Sequence, residues 1–109
     1  MLALALSMLL SQTPPTSPVS KLELARQGWE FSSKSYGAGT VTIEQVLVWS
    51  GRIYEAEKSD PAAAQRHVDR LRELEKRVQE RFNQGMAGKL DVLSVSYLRA
   101  QAEELLSKK

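Results

Sequence analysis

The side chains that could do chemistry in this sequence are few and poorly placed for it. His67 is the only histidine, and with no cysteine in the chain the ligand spacing of a zinc site is missing. Four acids could be imagined as pairs, but nothing in the sequence sets their environments apart, as acid–base catalysis requires. They are Glu44, Glu55, Glu57 and Asp60. We therefore expect no enzyme, no metal and no cofactor, with His67 solvated and these acids in structural or solvated roles.

Composition points away from nucleic acid and from a disulfide-held fold. The 109 residues carry 15 Lys and Arg against 13 Asp and Glu, a net charge of +2. Both signs are interspersed, with no basic patch for a nucleic-acid partner. The absence of cysteine excludes a disulfide framework. A chain of this length forms one small domain.

The first residues predict export. Residues 1–13 begin with a nearly continuous apolar run, too short to span a bilayer but typical of a secretory signal. Residues 14–19 form a Pro/Ser/Thr linker, since Pro14, Pro15 and Pro18 disfavour regular helix. We expect a periplasmic or secreted protein, with association with the outer membrane as a further option. The alternatives for the apolar run are a buried or disordered tail and a mis-assigned start codon.

A turn followed by a helix occurs twice, 46 residues apart. Tyr36 in the first copy stands opposite Phe82 in the second. Six of about 22 aligned positions are identical, and an internal repeat of this kind shapes the whole fold. The identical pairs are Gly39 and Gly85, Val46 and Val92, Leu47 and Leu93, Ser50 and Ser96, Ala56 and Ala102, and Glu57 and Glu103.

The first copy predicts a pair of helices. Ser20 is the expected N-cap of the first helix, in a capping box with Glu23. The helix should end at Gly37 or Gly39, where glycine reaches a left-handed conformation at no steric cost. Its apolar seam is Leu22, Ala25, Trp29, Ser32 and Tyr36. Gly28 weakens this helix, or lets a neighbour approach Trp29 closely.

Thr42 and Gln45 form a second expected capping box, which opens helix two. Residues 41–48 are rich in β-branched side chains, so a strand is the rival interpretation. The helix is favoured because the apolar spacing keeps a helical period through Tyr54.

The second copy predicts another pair of helices. Asp60 is the expected N-cap of helix three, with Pro61 at the first helical position, and this helix should reach Phe82. Gly88 takes the place of Thr42 at the start of helix four, and Asp91 takes the place of Gln45. The mixed charges of helix three are expected to form a solvated face.

The predicted fold is all-α: two tandem antiparallel helical hairpins that form a small bundle or coiled coil. The helical domain is residues 20–109, with hairpin 1 at 20–58 and hairpin 2 at 60–107. Both glycine turns should lie at one end, because each hairpin reverses the chain.

The motif Tyr-x-x-Gly-Thr-x-Thr-x-x-x-Val-Leu at residues 36–47, followed by Ala56-Glu57, resembles the hairpin repeat of TolC-type outer-membrane efflux proteins. Residues 82–93, followed by Ala102-Glu103, resemble it more closely. In that family two coiled-coil hairpins per subunit, in three subunits, form a tunnel whose tips meet the hairpins of a periplasmic adaptor. The resemblance implies tip positions at Tyr36, Gly39, Thr40, Phe82, Gly85 and Met86.

This chain departs from the family between its hairpins. Family members insert membrane strands there, which need about 9–11 residues each, whereas residues 58–61 provide only a turn. The resemblance therefore covers the hairpins alone, over residues 25–106, and predicts no pore.

Two classes of function remain. The first is an exported interaction protein that docks with a helical-hairpin partner, such as an efflux or adaptor component, or with copies of itself as a dimer or trimer, and has only indirect membrane contact. The second is a peripheral membrane binder that uses Trp29, Phe31 and Trp49. A free-standing bundle of unrelated function is a further alternative.

Overall fold

A computed structural model describes residues 19–108 as four helices. They are α1 (Lys21–Gly37), α2 (Ile43–Glu57), α3 (Ala63–Asn83) and α4 (Lys89–Ser107). The described part of the chain contains no strand, so the all-α prediction is confirmed and the strand interpretation of residues 41–48 is wrong. The predicted signal segment and all but the last residue of the linker lie outside the described residues.

The helices pair as two antiparallel hairpins. Hairpin 1 is α1 packed on α2, and hairpin 2 is α3 packed on α4. Helix α2 also packs against α3, and less extensively against α4. Among the described residues, the backbone of α1 approaches neither helix of hairpin 2 closely. Helix α2 is therefore the element through which the two hairpins join.

The core lies along this junction. Every helix contributes to it, and the side chains at its centre are almost wholly buried. The core residues are Tyr36, Ile43, Val46, Leu47, Val68, Leu71, Leu74, Val78, Val92, Val95 and Ala102. On α3 the core positions follow steps of three and four residues, because that spacing keeps side chains on one face of a helix.

The starts of α1 and α2 depend on neighbours in the chain. Ser20 is the N-cap of α1, and its Oγ accepts a hydrogen bond from Glu23 N over 3.1 Å. Thr42 is the N-cap of α2 and forms a complete capping box with Gln45: the Thr42 hydroxyl accepts from Gln45 N, and Thr42 N donates to Gln45 Oε1. These bonds satisfy N–H groups that the helix leaves free.

The start of α3 differs from the prediction. Ala62, not Asp60, is the N-cap, and it makes no side-chain cap. Asp60 Oδ1 instead accepts from Ala62 N over 2.9 Å, and its carbonyl oxygen accepts from Ala63 N. These bonds close a tight turn before the helix, so α3 begins two residues later than expected.

Gly28 serves a different neighbour from the one predicted. A Cβ atom at this position would lie 2.3 Å from the nearest atom of the Trp49 ring, so the indole of α2 rests directly on the α1 backbone. The Arg52 guanidinium covers the ring at 4.4 Å from its centroid. Only glycine permits this approach between the two helices of hairpin 1.

Candidate interaction surface

The two glycine turns share one hydrogen-bonded geometry. Gly39 and Gly85 have φ values of +79° and +77°. In the first turn Thr40 N donates to the Ser35 carbonyl oxygen over 2.9 Å. In the second turn Met86 N donates to the Arg81 carbonyl oxygen over 2.8 Å. A left-handed glycine that lets the next N–H close back on the helix is the Schellman arrangement. The sequence repeat is therefore also a backbone repeat.

The predicted tip residues divide into exposed and packed groups. Gly39, Thr40, Gly85 and Met86 are exposed. Tyr36, by contrast, is only 4% exposed, and its hydroxyl donates to Asp91 Oδ2 over 2.9 Å. Burial, and after it the hydrogen bond to this carboxylate, raises the pKa of Tyr36. Tyr36 thus lies beside the turn, but its ring packs into the core and is not exposed at the tip.

The equivalent aromatic of hairpin 2 is less enclosed. Phe82 is half-buried against the core, and the Lys89 ammonium lies 5.6 Å from the centroid of its ring. The tip contact of Tyr36 with α4 places the two turns at the same end of the molecule, as predicted.

Asp91 does not cap α4. Gly88 is the N-cap but has no side chain with which to form a capping box, and α4 shows no side-chain cap. The Asp91 carboxylate instead bonds to Tyr36 of hairpin 1. Its charge still lies in the first turn of α4, where it complements the helix dipole.

A polar cluster joins the hairpins on their inner side. The Ser50 hydroxyl accepts from Arg70 Nε over 3.0 Å and lies 2.9 Å from His67 Nδ1. A hydroxyl has one proton and two lone pairs, so Ser50 can donate to Nδ1 or accept from it, according to the imidazole tautomer. The ring also stacks on Tyr54, with centroids 5.2 Å apart. His67 therefore links hairpin 2 to α2 through side-chain contacts.

Its surroundings keep His67 uncharged. Burial, followed by the nearby Arg70 charge, lowers the pKa of His67 to about 4. The prediction of a solvated surface histidine is wrong, because the sequence places His67 in a charged run whose inner face could not be recognised without knowing how the hairpins pack.

Of the four acids, Glu57 has a structural role, whereas Glu44, Glu55 and Asp60 are exposed. The Glu57 side chain is nearly buried, and its Oε1 accepts from Arg66 Nε over 3.1 Å. Arg26 of α1 lies 3.7 Å from the other carboxylate oxygen. Two arginines of α3 donate to carbonyl oxygens of α1. Arg77 donates to the Ser33 oxygen, and Arg81 donates to the Gly37 oxygen. One side of the charged face of α3 thus binds hairpin 1.

Hairpin 2 leaves an apolar strip uncovered. Leu90, Leu93 and Tyr97 are 76%, 51% and 68% exposed and follow one another along α4. We call these three residues the outer face of hairpin 2. Met86 lies beyond them at the turn and is also exposed. The sequence places all four at helix or turn positions, but only the packing shows that none faces the core.

The repeat makes this strip informative. Leu93 is equivalent to Leu47, which is only 5% exposed because α2 is covered by hairpin 2. The same position is thus closed in the first copy and open in the second. Repeat units pack on their neighbours, and a contiguous exposed apolar patch marks an interaction site, so this open position indicates a surface that can pack against a further helix.

Two of the three aromatic residues expected of a membrane binder are packed internally. Trp29 packs against the core and Trp49 against Gly28, which leaves Phe31 exposed. No helix among residues 19–108 is both long and apolar enough to cross a membrane. Within the same residues, no group of three or more potential His, Asp or Glu ligands could hold a metal ion.

Comparison of this chain with models of protein families, with curated proteins and with solved structures found no match in any of the three. The likeness to TolC-type hairpins therefore remains a prediction from two sequence motifs.

Proposed function

We propose that this protein is a helical-hairpin interaction protein that packs the outer face of hairpin 2 against a helical hairpin of a partner protein. The observation that carries this proposal is the exposure of Leu93, whose repeat equivalent is buried against the neighbouring hairpin. The leader-like first residues suggest that this happens after export, and the hairpin motif suggests an efflux or adaptor component as one candidate partner.

Burial of the outer face of hairpin 2 against a partner would contribute favourable free energy. Burying one large apolar side chain contributes roughly 1.5–3 kcal/mol, and three such side chains lie together on α4. Their spacing of three and four residues presents a seam of the kind that helices use to pack on one another. No group that could act as a nucleophile beside a base is required for this function.

The test is a photo-reactive amino acid placed in the full chain at position 93, with irradiation of cells that normally make the protein. We expect covalent adducts with one helical protein, identified by mass spectrometry. The matched control carries the same group at Glu73, an exposed position in the middle of α3. Adducts that are absent at position 93, or identical at both positions, would refute the proposal.

The turns can be tested separately. Thr40→Arg combined with Met86→Arg changes only exposed turn side chains. If docking uses the turns as in the efflux resemblance, this variant loses the adduct formed at position 93. If docking uses the outer face of hairpin 2 alone, the adduct persists in this variant and is lost in Tyr97→Lys.

A further inference from the structure

The apolar side chains exposed on hairpin 1 lie at repeat positions whose equivalents in hairpin 2 contact hairpin 1. Leu24, Phe31 and Val48 are its three large exposed apolar residues within α1 and α2. We call them the outer face of hairpin 1. Moving each one 46 residues along the chain gives the equivalent positions in hairpin 2, and all three equivalents contact hairpin 1.

These contacts are specific. Arg70, equivalent to Leu24, donates to Ser50. Arg77, equivalent to Phe31, donates to a carbonyl oxygen of α1. Ser94, equivalent to Val48, donates to Glu44 over 3.2 Å. Hairpin 2 therefore receives hairpin 1 through polar groups at the positions where hairpin 1 itself exposes apolar ones.

The register holds inside the hairpins as well. The ion pair of Arg26 with Glu57 in hairpin 1 recurs 46 residues later as Arg72 with Glu103, at 3.7 Å and 2.7 Å. The equivalence thus extends from the turns to the far ends of the helices, and positions on the two outer faces can be compared one by one.

The outer face of hairpin 2 has the same relation to the positions of α2 that contact hairpin 2. Glu44, which receives Ser94, is equivalent to Leu90, and Leu47 is equivalent to Leu93. Both leucines belong to the outer face of hairpin 2. The outer face of each hairpin thus exposes apolar side chains at the repeat positions whose equivalents in the other hairpin form the contacts between hairpin 1 and hairpin 2.

We infer that the partner of the outer face of hairpin 2 is a second copy of this chain, which presents its hairpin 1. This inference rests on the proposed function and names the partner. The contact repeats the internal junction, with α4 of one copy in the place of α2. The bond between Glu44 and Ser94 then becomes an apolar contact between Leu90 of one copy and Val48 of the next.

Such a contact is heterologous, because two different surfaces meet. It continues from copy to copy until a ring closes or a filament grows. Apolar side chains on both surfaces suit a contact between molecules, which must bury enough area to offset the loss of translational freedom. The polar contacts at the internal junction have less to overcome, since the chain already holds the hairpins together.

The test uses the absence of cysteine in the natural sequence. Two full-length variants, Leu90→Cys and Val48→Cys, are made with tags of different size, mixed, and treated with a short thiol-specific cross-linker. We expect a covalent heterodimer, with a yield about tenfold above that of the control mixture of Glu73→Cys and Val48→Cys. Phe31→Lys on the Val48→Cys chain should lower the heterodimer yield about tenfold, with an unchanged helical circular dichroism spectrum.

The outcomes separate this inference from the proposed function. A heterodimer yield equal to the control, while position 93 still captures a different helical protein in cells, overturns self-assembly and leaves the interaction function standing. Failure of both experiments refutes both. Strong cross-linking of Leu90→Cys with itself shows two-fold pairing through α4 and also overturns the head-to-tail contact.

Discussion

The two helices of each hairpin are joined by a turn of the same geometry, but they pack on one another in different ways. In hairpin 1 the helices approach through glycine, with Trp49 resting on Gly28. In hairpin 2 the equivalent position is Leu74, which is almost wholly buried. The difference shows that a repeat can preserve its turn and its outline while its helices pack by opposite means.

The polar contacts differ in the same way. Ser50 of hairpin 1 is bound by His67 and Arg70 from the other hairpin. Its equivalent in hairpin 2, Ser96, donates to Glu75 within the hairpin over 2.6 Å. The first serine therefore joins the hairpins, whereas the second stabilises one hairpin.

The largest expected effect tests the packing of hairpin 2. Leu74→Ala removes a buried side chain and leaves a cavity, so we expect the free energy of unfolding to fall by about 2–5 kcal/mol. Chemical denaturation followed by circular dichroism measures it. A loss below about 1 kcal/mol would show that Leu74 does not fill the core of hairpin 2.

The same repeat position in hairpin 1 should reject a larger residue. Gly28→Ala places Cβ against the Trp49 ring, so we expect a loss of about 1–3 kcal/mol from overpacking. The matched control is Gly51→Ala in α2, where the added Cβ meets nothing within 4 Å. That substitution should stabilise by about 0.5–1 kcal/mol. Stabilisation by both variants would contradict the close approach of Trp49.

Acid should weaken the junction between the hairpins first. The pKa of His67 is about 4 in the folded chain against an ordinary 6.5, so the unfolded chain binds the proton more readily. The contribution of this histidine is present above pH 6.5 and is lost as the pH falls towards 4. We expect a loss of roughly 1–2 kcal/mol, reduced by partial solvent access.

Hairpin 2 should respond to acid later. The hydrogen bond from Arg99 lowers the pKa of Glu75 below its ordinary 4.5, so this contribution is lost only below about pH 4.5. Unfolding measured from pH 7 down to about pH 3 tests the order, with His67→Gln as the control that lacks the first titrating group. An equal pH slope in His67→Gln and the natural chain would exclude His67 as the cause.

The smallest effect tests what the two hairpins share. Gly39→Ala and Gly85→Ala force a side chain into the left-handed region, so each should cost about 1 kcal/mol. Because the turns have one geometry, the two losses should agree closely. Gly37→Ala, at the end of α1 without a positive φ, is the control and should be nearly neutral. Unequal losses at the two turns would show that they differ in the folded chain.

The sequence was sufficient where the controlling atoms are near neighbours in the chain. The turns at Gly39 and Gly85, and the capping of α1 and α2 by Ser20 and Thr42, follow from contacts within about five residues. The start of α3 was misplaced because Asp60 can bond either to a helix or to a preceding turn, and the two uses share one sequence signal.

The sequence by itself determined the helical class, the two hairpins and the repeated turn, because periodic apolar residues and local caps specify them. Tertiary structure decided that Tyr36 is buried, that His67 is neutral, that Trp49 needs Gly28, and which face of each hairpin stays open. These outcomes depend on partners 17 to 55 residues away, or on the way two helices meet. A helix pattern shows that a residue lies on an apolar or charged face, but only the packed neighbour shows whether that face is covered.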